Sequence, residues 1–152
     1  VRPFNVFGPG MRENDNRVIP NFLFNGLNNK PIGVHVSGKQ TRAFCYIADA
    51  VGGFFMVLLS SQNGEVYNVG NDQAELTMNQ LAKKVNKIFN ETIKIVNIPY
   101  PKNYPLGEPQ RRCPDLSKIK KQLGYKPIFD LETGLKRTLE WCKNNWVIAA
   151  SE

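Results

Sequence analysis

Thr41-Arg42-Ala43-Phe44-Cys45-Tyr46-Ile47-Ala48-Asp49 is the stretch on which the reading of this chain turns. A lone arginine sits on a short β-like run that passes straight into a helix beginning near Asp49. Upstream lies a glycine-containing loop, Ser37-Gly38-Lys39-Gln40. Such a strand–helix junction holds a guanidinium rigidly and leaves it facing a cleft. A planar fork of N–H donors suits a phosphate or a carboxylate. The expectation is that Arg42 and a much later arginine, Arg112, clamp one anionic ligand, and that the rest of the chain walls the cleft.

With 152 residues, 41% of them apolar, the chain is one domain or part of one. No apolar run of about 18 residues is present to span a membrane. The opening Val1-Arg2-Pro3-Phe4-Asn5 does not read as a signal peptide. Cys45, Cys113 and Cys142 are far apart, and His35 is the lone histidine. No zinc-type spacing results, so the expectation is no metal, with free thiols in a cytoplasmic protein. The net charge of +7 is dispersed over helix faces such as Lys83, Lys84 and Lys87, without the basic–aromatic interleaving of a nucleic-acid platform.

Outward from the arginine stretch, hydrophobic spacing lays out an α/β chain. Val1–Phe4 reads as the end of a strand, an opening in mid-pattern. Val18, Ile19, Phe22, Leu23 and Leu27 repeat at helical spacing, with Pro20 in the first turn. A strand is expected at Ile32–Val36. The apolar segment 49–60 reads as either a buried helix or two strands, and helix is preferred; Gly52 and Gly53 are small enough for close packing on a sheet. A strand at 65–69 follows. Thr77 and Gln80 form a capping box for a helix bearing Met78, Leu81, Val85 and Ile88. Ile93–Ile98 is a strand, and 99–114, with five prolines, a long loop. Asp115 and Asp130 read as caps of the last two helices, and Gly124 as a C-terminal stop. The domain is set at 1–145, with 146–152 as a tail.

No nucleophile elbow, glycine-rich phosphate loop or paired general acid and base emerges. Glu13/Asp15 and Asp72/Glu75 read as solvated loop pairs, His35 as structural filler, and one of Arg111 and Arg112 as merely exposed. What remains is a set of polar residues at predicted strand ends: Asn5, Arg17, Asn21, Arg42 and Arg112. They make sense together where several strand ends converge on one crevice.

Those residues also sit in ordered motifs. Arg2-Pro3-Phe4-Asn5-Val6-Phe7-Gly8-Pro9 resembles the "R-x-F-N-x-Y/F-G-P" segment of extended short-chain dehydrogenases that act on nucleotide sugars. Pro31-Ile32 through Gln40-Thr41-Arg42-Ala43-Phe44 is similar to their "P-I-x-V-Y-G-x-G-x-Q-T-R-x-F". Arg112-Cys113-Pro114-Asp115, Leu123-Gly124-Tyr125-Lys126-Pro127 and Leu131-Glu132-Thr133-Gly134-Leu135 resemble later segments. The ordered set runs over 2–143 and lies nearest to UDP-glucuronate decarboxylases and dTDP-glucose 4,6-dehydratases. The glycine fingerprint and Tyr-x-x-x-Lys pair of that family are not found here.

The resemblance therefore implies its C-terminal half: a substrate-binding lobe plus the last strands of a Rossmann-type coenzyme domain, incomplete without the N-terminal half, whose uncovered strands would expose apolar edges. It implies NAD as cofactor, bound mainly by the other half with Arg2 and Pro3 nearby. It implies a nucleotide-sugar substrate held by Asn5, Arg17, Val18, Asn21, His35, Val36, Arg42 and Arg112. Arg112 aligns with an arginine implicated as an acid in a related decarboxylase, and Val36 replaces a usual glycine. A homodimer is implied for the intact enzyme, and no turnover for this chain alone. The alternative is a stand-alone nucleotide or nucleotide-sugar binding module; a nucleic-acid binder is the weaker third.

Overall fold

The computed structural model describes residues 1–13, 15–73, 75–102, 107 and 109–147. Nine short strands and five helices alternate among them. The order is β1 (Arg2–Pro3), β2 (Val6–Phe7), α1 (Val18–Leu27), β3 (Ile32–His35), β4 (Thr41–Ala43), β5 (Cys45–Tyr46), α2 (Ile47–Leu58), β6 (Asn68–Val69), β7 (Glu75–Thr77), α3 (Met78–Ile88), β8 (Ile95–Ile98), β9 (Arg111–Arg112), α4 (Ser117–Leu123) and α5 (Leu131–Asn145).

Most pairing is parallel, as expected where helices cross between strands. β1 pairs with β6, β2 with β5 and β3 with β8, each in parallel. β4 is a central strand, antiparallel to β7 on one side and parallel to β9 on the other. Neither β7 nor β9 was expected: Glu75 was placed in a loop, and Arg111–Arg112 inside the long proline-rich loop, part of which lies outside the described residues.

Two apolar clusters hold the chain. The larger gathers α1, α3 and α5 around β3, with Leu23, Ile32, Leu81, Val85 and Leu135 at or near zero exposure. The smaller joins α2, β6 and α4 through Ala50, Tyr67, Val69, Ile119 and Tyr125. The expected tail, 146–152, begins one residue too early, since it takes in Trp146. That indole is buried, its Nε1 donates to Met11 O at 2.9 Å, and it packs on Phe24. Residues 148–152 of the tail lie outside the described residues.

Local signals fix most helix ends. The capping box is complete: Gln80 N donates to Thr77 Oγ1 at 3.2 Å, and Thr77 N to Gln80 Oε1 at 2.8 Å. Asp130 accepts from Thr133 N at 2.7 Å. Asp115 stands one residue earlier than a cap should, since Leu116 is the cap residue of α4, yet its carboxylate still accepts from Ser117 N at 2.8 Å. Gly124 ends α4 with φ +69°, the left-handed turn that glycine takes without a Cβ clash.

The expectation of a buried helix at 49–60 is half right. α2 forms, starting at Ile47. A Cβ on Gly53 would lie 2.7 Å from Val69 Cγ1 and 2.8 Å from Tyr125 Cε2, so its bareness is what lets α2 seat on β6 and Tyr125. Gly52 faces open space. Val51, Phe54, Phe55, Leu58 and Leu59 are exposed, the last two at 74% and 80%. Asp49 does not pair with Arg42. Its buried carboxylate accepts from the Ile128 and Phe129 amides at 2.9 and 3.0 Å, pinning the approach to α5.

Two predictions follow from burial and backbone geometry. Val36 sits at φ +52°, a region costly for a β-branched side chain, while its N–H donates to Ile98 O at 2.8 Å. Val36→Gly is expected to stabilise the chain by about 1 kcal/mol, after allowance for glycine's freedom when unfolded. A denaturation midpoint that stays put or falls would show that no strain is stored there. The cysteines differ in burial. Cys45 and Cys142 are fully buried, and desolvation pushes their thiols up to about 11 and about 12; Cys113 is only half-buried. A thiol reagent at pH 8 should modify Cys113 first, with the other two following only on unfolding. Simultaneous labelling of all three would contradict the packing.

Candidate functional site

A cavity of about 1010 Å³ opens between α1, β3, β4 and the loop after β8. The positive charge on its wall begins with strand register. Arg42 and Arg112 are direct cross-strand partners on β4 and β9, so their side chains leave the sheet on the same face. Both line the cavity. Arg42 is only 6% exposed and donates from Nη1 to the Thr41 carbonyl at 2.7 Å; Arg112 is exposed at the rim. A guanidinium keeps its charge when buried, and its field is stronger there than in water.

Other expected residues reach the same space. Asn5 takes φ +43° and donates from Nδ2 to Ala43 O at 2.8 Å, which fixes the first loop against β4. Arg17, Val18 and Asn21 line the cavity from the start of α1. Arg17 is the N-cap residue but supplies no side-chain cap, and no acidic residue stands in that first turn. The positive end of α1 thus opens on the cavity. The Arg17 guanidinium is engaged with Asp15, and that hydrogen bond holds the Asp15 carboxyl below its usual range. Asp15 is therefore an ion-paired residue of the rim, not a solvated one.

His35 lines the far wall. Its ring stacks on Tyr100 with centroids 5.1 Å apart, and Nδ1 lies 3.2 Å from Pro99 O. A carbonyl only accepts, so Nδ1 carries the proton. The expectation of mere filler is corrected: this ring forms part of a flat polar wall. Val36 is 51% exposed and, with Arg2 and Pro3, does not line the cavity. Arg2 and Pro3 are exposed on β1.

Several lining residues were not anticipated. Gln40 is nearly buried and donates from Nε2 to Tyr100 OH at 3.3 Å. Phe44, Met78 and Gly33 complete the walls. The two-residue period of a strand places Gln40, Arg42 and Phe44 on one face, so the arginine itself pointed to its neighbours.

On the opposite face of the β7–β4–β9 sheet lies a second polar group. Glu75 accepts from the Thr41 hydroxyl and from Arg111, and these bonds, Thr41's first, hold its carboxyl below the usual range. Asp72 pairs with Lys120 at 2.6 Å. Both carboxylates expected to be solvated are engaged.

Comparison with known proteins agrees with this geometry. Residues 1–70 match the sequence model of the NAD dependent epimerase/dehydratase family. Over 144 residues the chain is 35% identical to UDP-N-acetyl-alpha-D-glucosaminuronate decarboxylase of Bacillus cytotoxicus, covering 93% of this chain and 44% of that protein. It is 38% identical over 135 residues to UDP-glucuronic acid decarboxylase 3 of Arabidopsis thaliana, covering 89% and 38%. UDP-glucuronic acid 4-epimerase from Bacillus cereus, solved with UDP-glucuronic acid and NAD, superposes with a TM-score of 0.84 and 28% identity over 95% of this chain and 45% of that one. The chain spans less than half the length of these relatives.

Proposed function

We propose that this chain, whose residues 1–70 match the NAD dependent epimerase/dehydratase family, is the substrate-binding portion of a nucleotide-sugar-modifying enzyme, a decarboxylase, dehydratase or epimerase in which a sugar carbon is transiently oxidised. The observation that carries this reading is the register pair of Arg42 and Arg112 on one cavity wall. Two neighbouring guanidinium groups, one of them desolvated, suit a diphosphate better than a single charge would. Asn5 stands beside them as a polar partner. Arg17, Val18 and Asn21 face the sugar from α1. His35, its ring stacked on Tyr100, offers a flat surface for the base, and Val36 acts through the backbone turn that places His35.

NAD is the coenzyme of the family, and we assign Arg2 and Pro3 to its neighbourhood. Pro3 has no N–H, so one exposed guanidinium is what the two offer. That is not a coenzyme site. Arg112 is assigned to binding: a guanidinium does not give up its proton in a protein. The chain's own residues hold and orient the substrate, which the reaction needs but cannot run on alone. For the whole enzyme we carry forward a homodimer and, from the three free thiols, a cytoplasmic setting.

Calorimetry with UDP, UDP-glucuronate and dTDP tests the reading. At least one should bind, and Arg42→Ala and Arg112→Ala should each cost about 1.5–3 kcal/mol of affinity, the range for hydrogen bonds to charged groups. Unchanged binding in both variants would remove the clamp. The 152-residue chain should produce no NADH from NAD and a nucleotide sugar, and turnover by homogeneous material would refute its role as a binding portion.

A further inference from the structure

We propose that Glu75 is a positioning residue for the anion clamp: it locks the strand carrying Arg112 in register with the strand carrying Arg42 and does not itself meet the ligand. The inference rests on the reading of the cavity as an anion site.

Arg111 and Arg112 are adjacent, so they leave β9 on opposite faces. Arg112 enters the cavity. Arg111 turns away and donates from Nε and Nη2 to Glu75 Oε2 at 3.1 and 2.8 Å. The other oxygen of the same carboxylate accepts from the Thr41 hydroxyl. Thr41 is the cross-strand partner of Arg111, and Glu75 that of Ala43. One carboxylate thus ties all three strands together on the side away from the cavity, which neither it, Thr41 nor Arg111 lines.

The need for such a tie follows from the size of β9. Two residues of parallel ladder, with one further backbone bond from Thr41 N to Gln110 O at 2.8 Å, fix register weakly. A slip of one residue would exchange the faces of Arg111 and Arg112, taking the second guanidinium out of the cavity. Glu75 resists that slip because its two oxygens address different strands.

The charge change makes the idea testable by sign. Glu75→Gln leaves an already basic chain more positive, so the field alone would tighten anion binding. Loss of positioning does the reverse. Titration of the full chain with UDP should show affinity falling roughly two- to fivefold in Glu75→Gln, the scale of an exposed ion pair. The same change made on top of Arg112→Ala should have no further effect, since the guanidinium it positions is gone. Arg111→Lys, which keeps the charge and one donor, should retain more affinity than Arg111→Ala. Amide exchange at Thr41 should quicken in Glu75→Gln. Equal or tighter UDP binding in Glu75→Gln, or an equal loss in the Arg112→Ala background, would overturn the proposal. Should the unaltered chain bind no nucleotide, the functional reading fails, and the latch is then decided by Thr41 exchange alone: unchanged exchange defeats it.

Discussion

The pairing of β4 with β9 is the constraint on which the site depends. β4 is three residues long and carries partners on both edges. On its cavity face that pairing brings together two guanidinium groups from distant parts of the chain. Like charges do not gather spontaneously, so the backbone ladder and the packing beneath it must offset their repulsion. The two differ in setting: Arg42 is buried and donates to the Thr41 carbonyl, while Arg112 reaches solvent.

A different constraint governs the α2 side. Parallel sheets are normally covered on both faces. Here β1 and β6 form a two-stranded parallel sheet whose β1 residues are exposed, and α2 seats on β6 while leaving Val51, Phe54, Phe55, Leu58 and Leu59 outside. Exposed apolar surface of this extent is unusual for a monomer. The cavity side has no such deficit, since α1, α3 and α5 enclose the larger cluster around β3. The cavity-bearing part of the chain is thus the better-packed part, consistent with a match to relatives more than twice as long.

What could be read in the letters was what is local. The capping box at Thr77 and Gln80, the Asp130 cap, the Gly124 stop and the stripe of α1 each lie within one or two helical turns, and all are present in the fold. β7 and β9 were invisible because two or three residues carry no period. Trp146 looked like tail because its partners, Met11 and Phe24, are remote in sequence. The exposed face of α2 was read as buried because an apolar helix announces that it needs a partner, not whether it has one. At the site, the arginines were legible through their strand setting and family motifs. Tyr100 was not, since it lies in an aperiodic loop and meets His35 and Gln40 from far along the chain.

The loop between β3 and β4 is fastened to the start of α3. A helix start commonly offers free N–H groups to a phosphate. The start of α3 does not. Met78 N donates to Gln40 O and Asn79 N to Gly38 O, both at 3.2 Å, and the capping box engages Gln80 N. Asn79 Nδ2 returns to Ser37 O at 2.8 Å. The amides are consumed in fastening residues 37–40 to the helix, and that fastening stabilises the left-handed turn at Val36 against its steric cost. His35 and Gln40, at the two ends of this loop, are thereby held on the cavity wall. Backbone donors thus build this wall of the cavity.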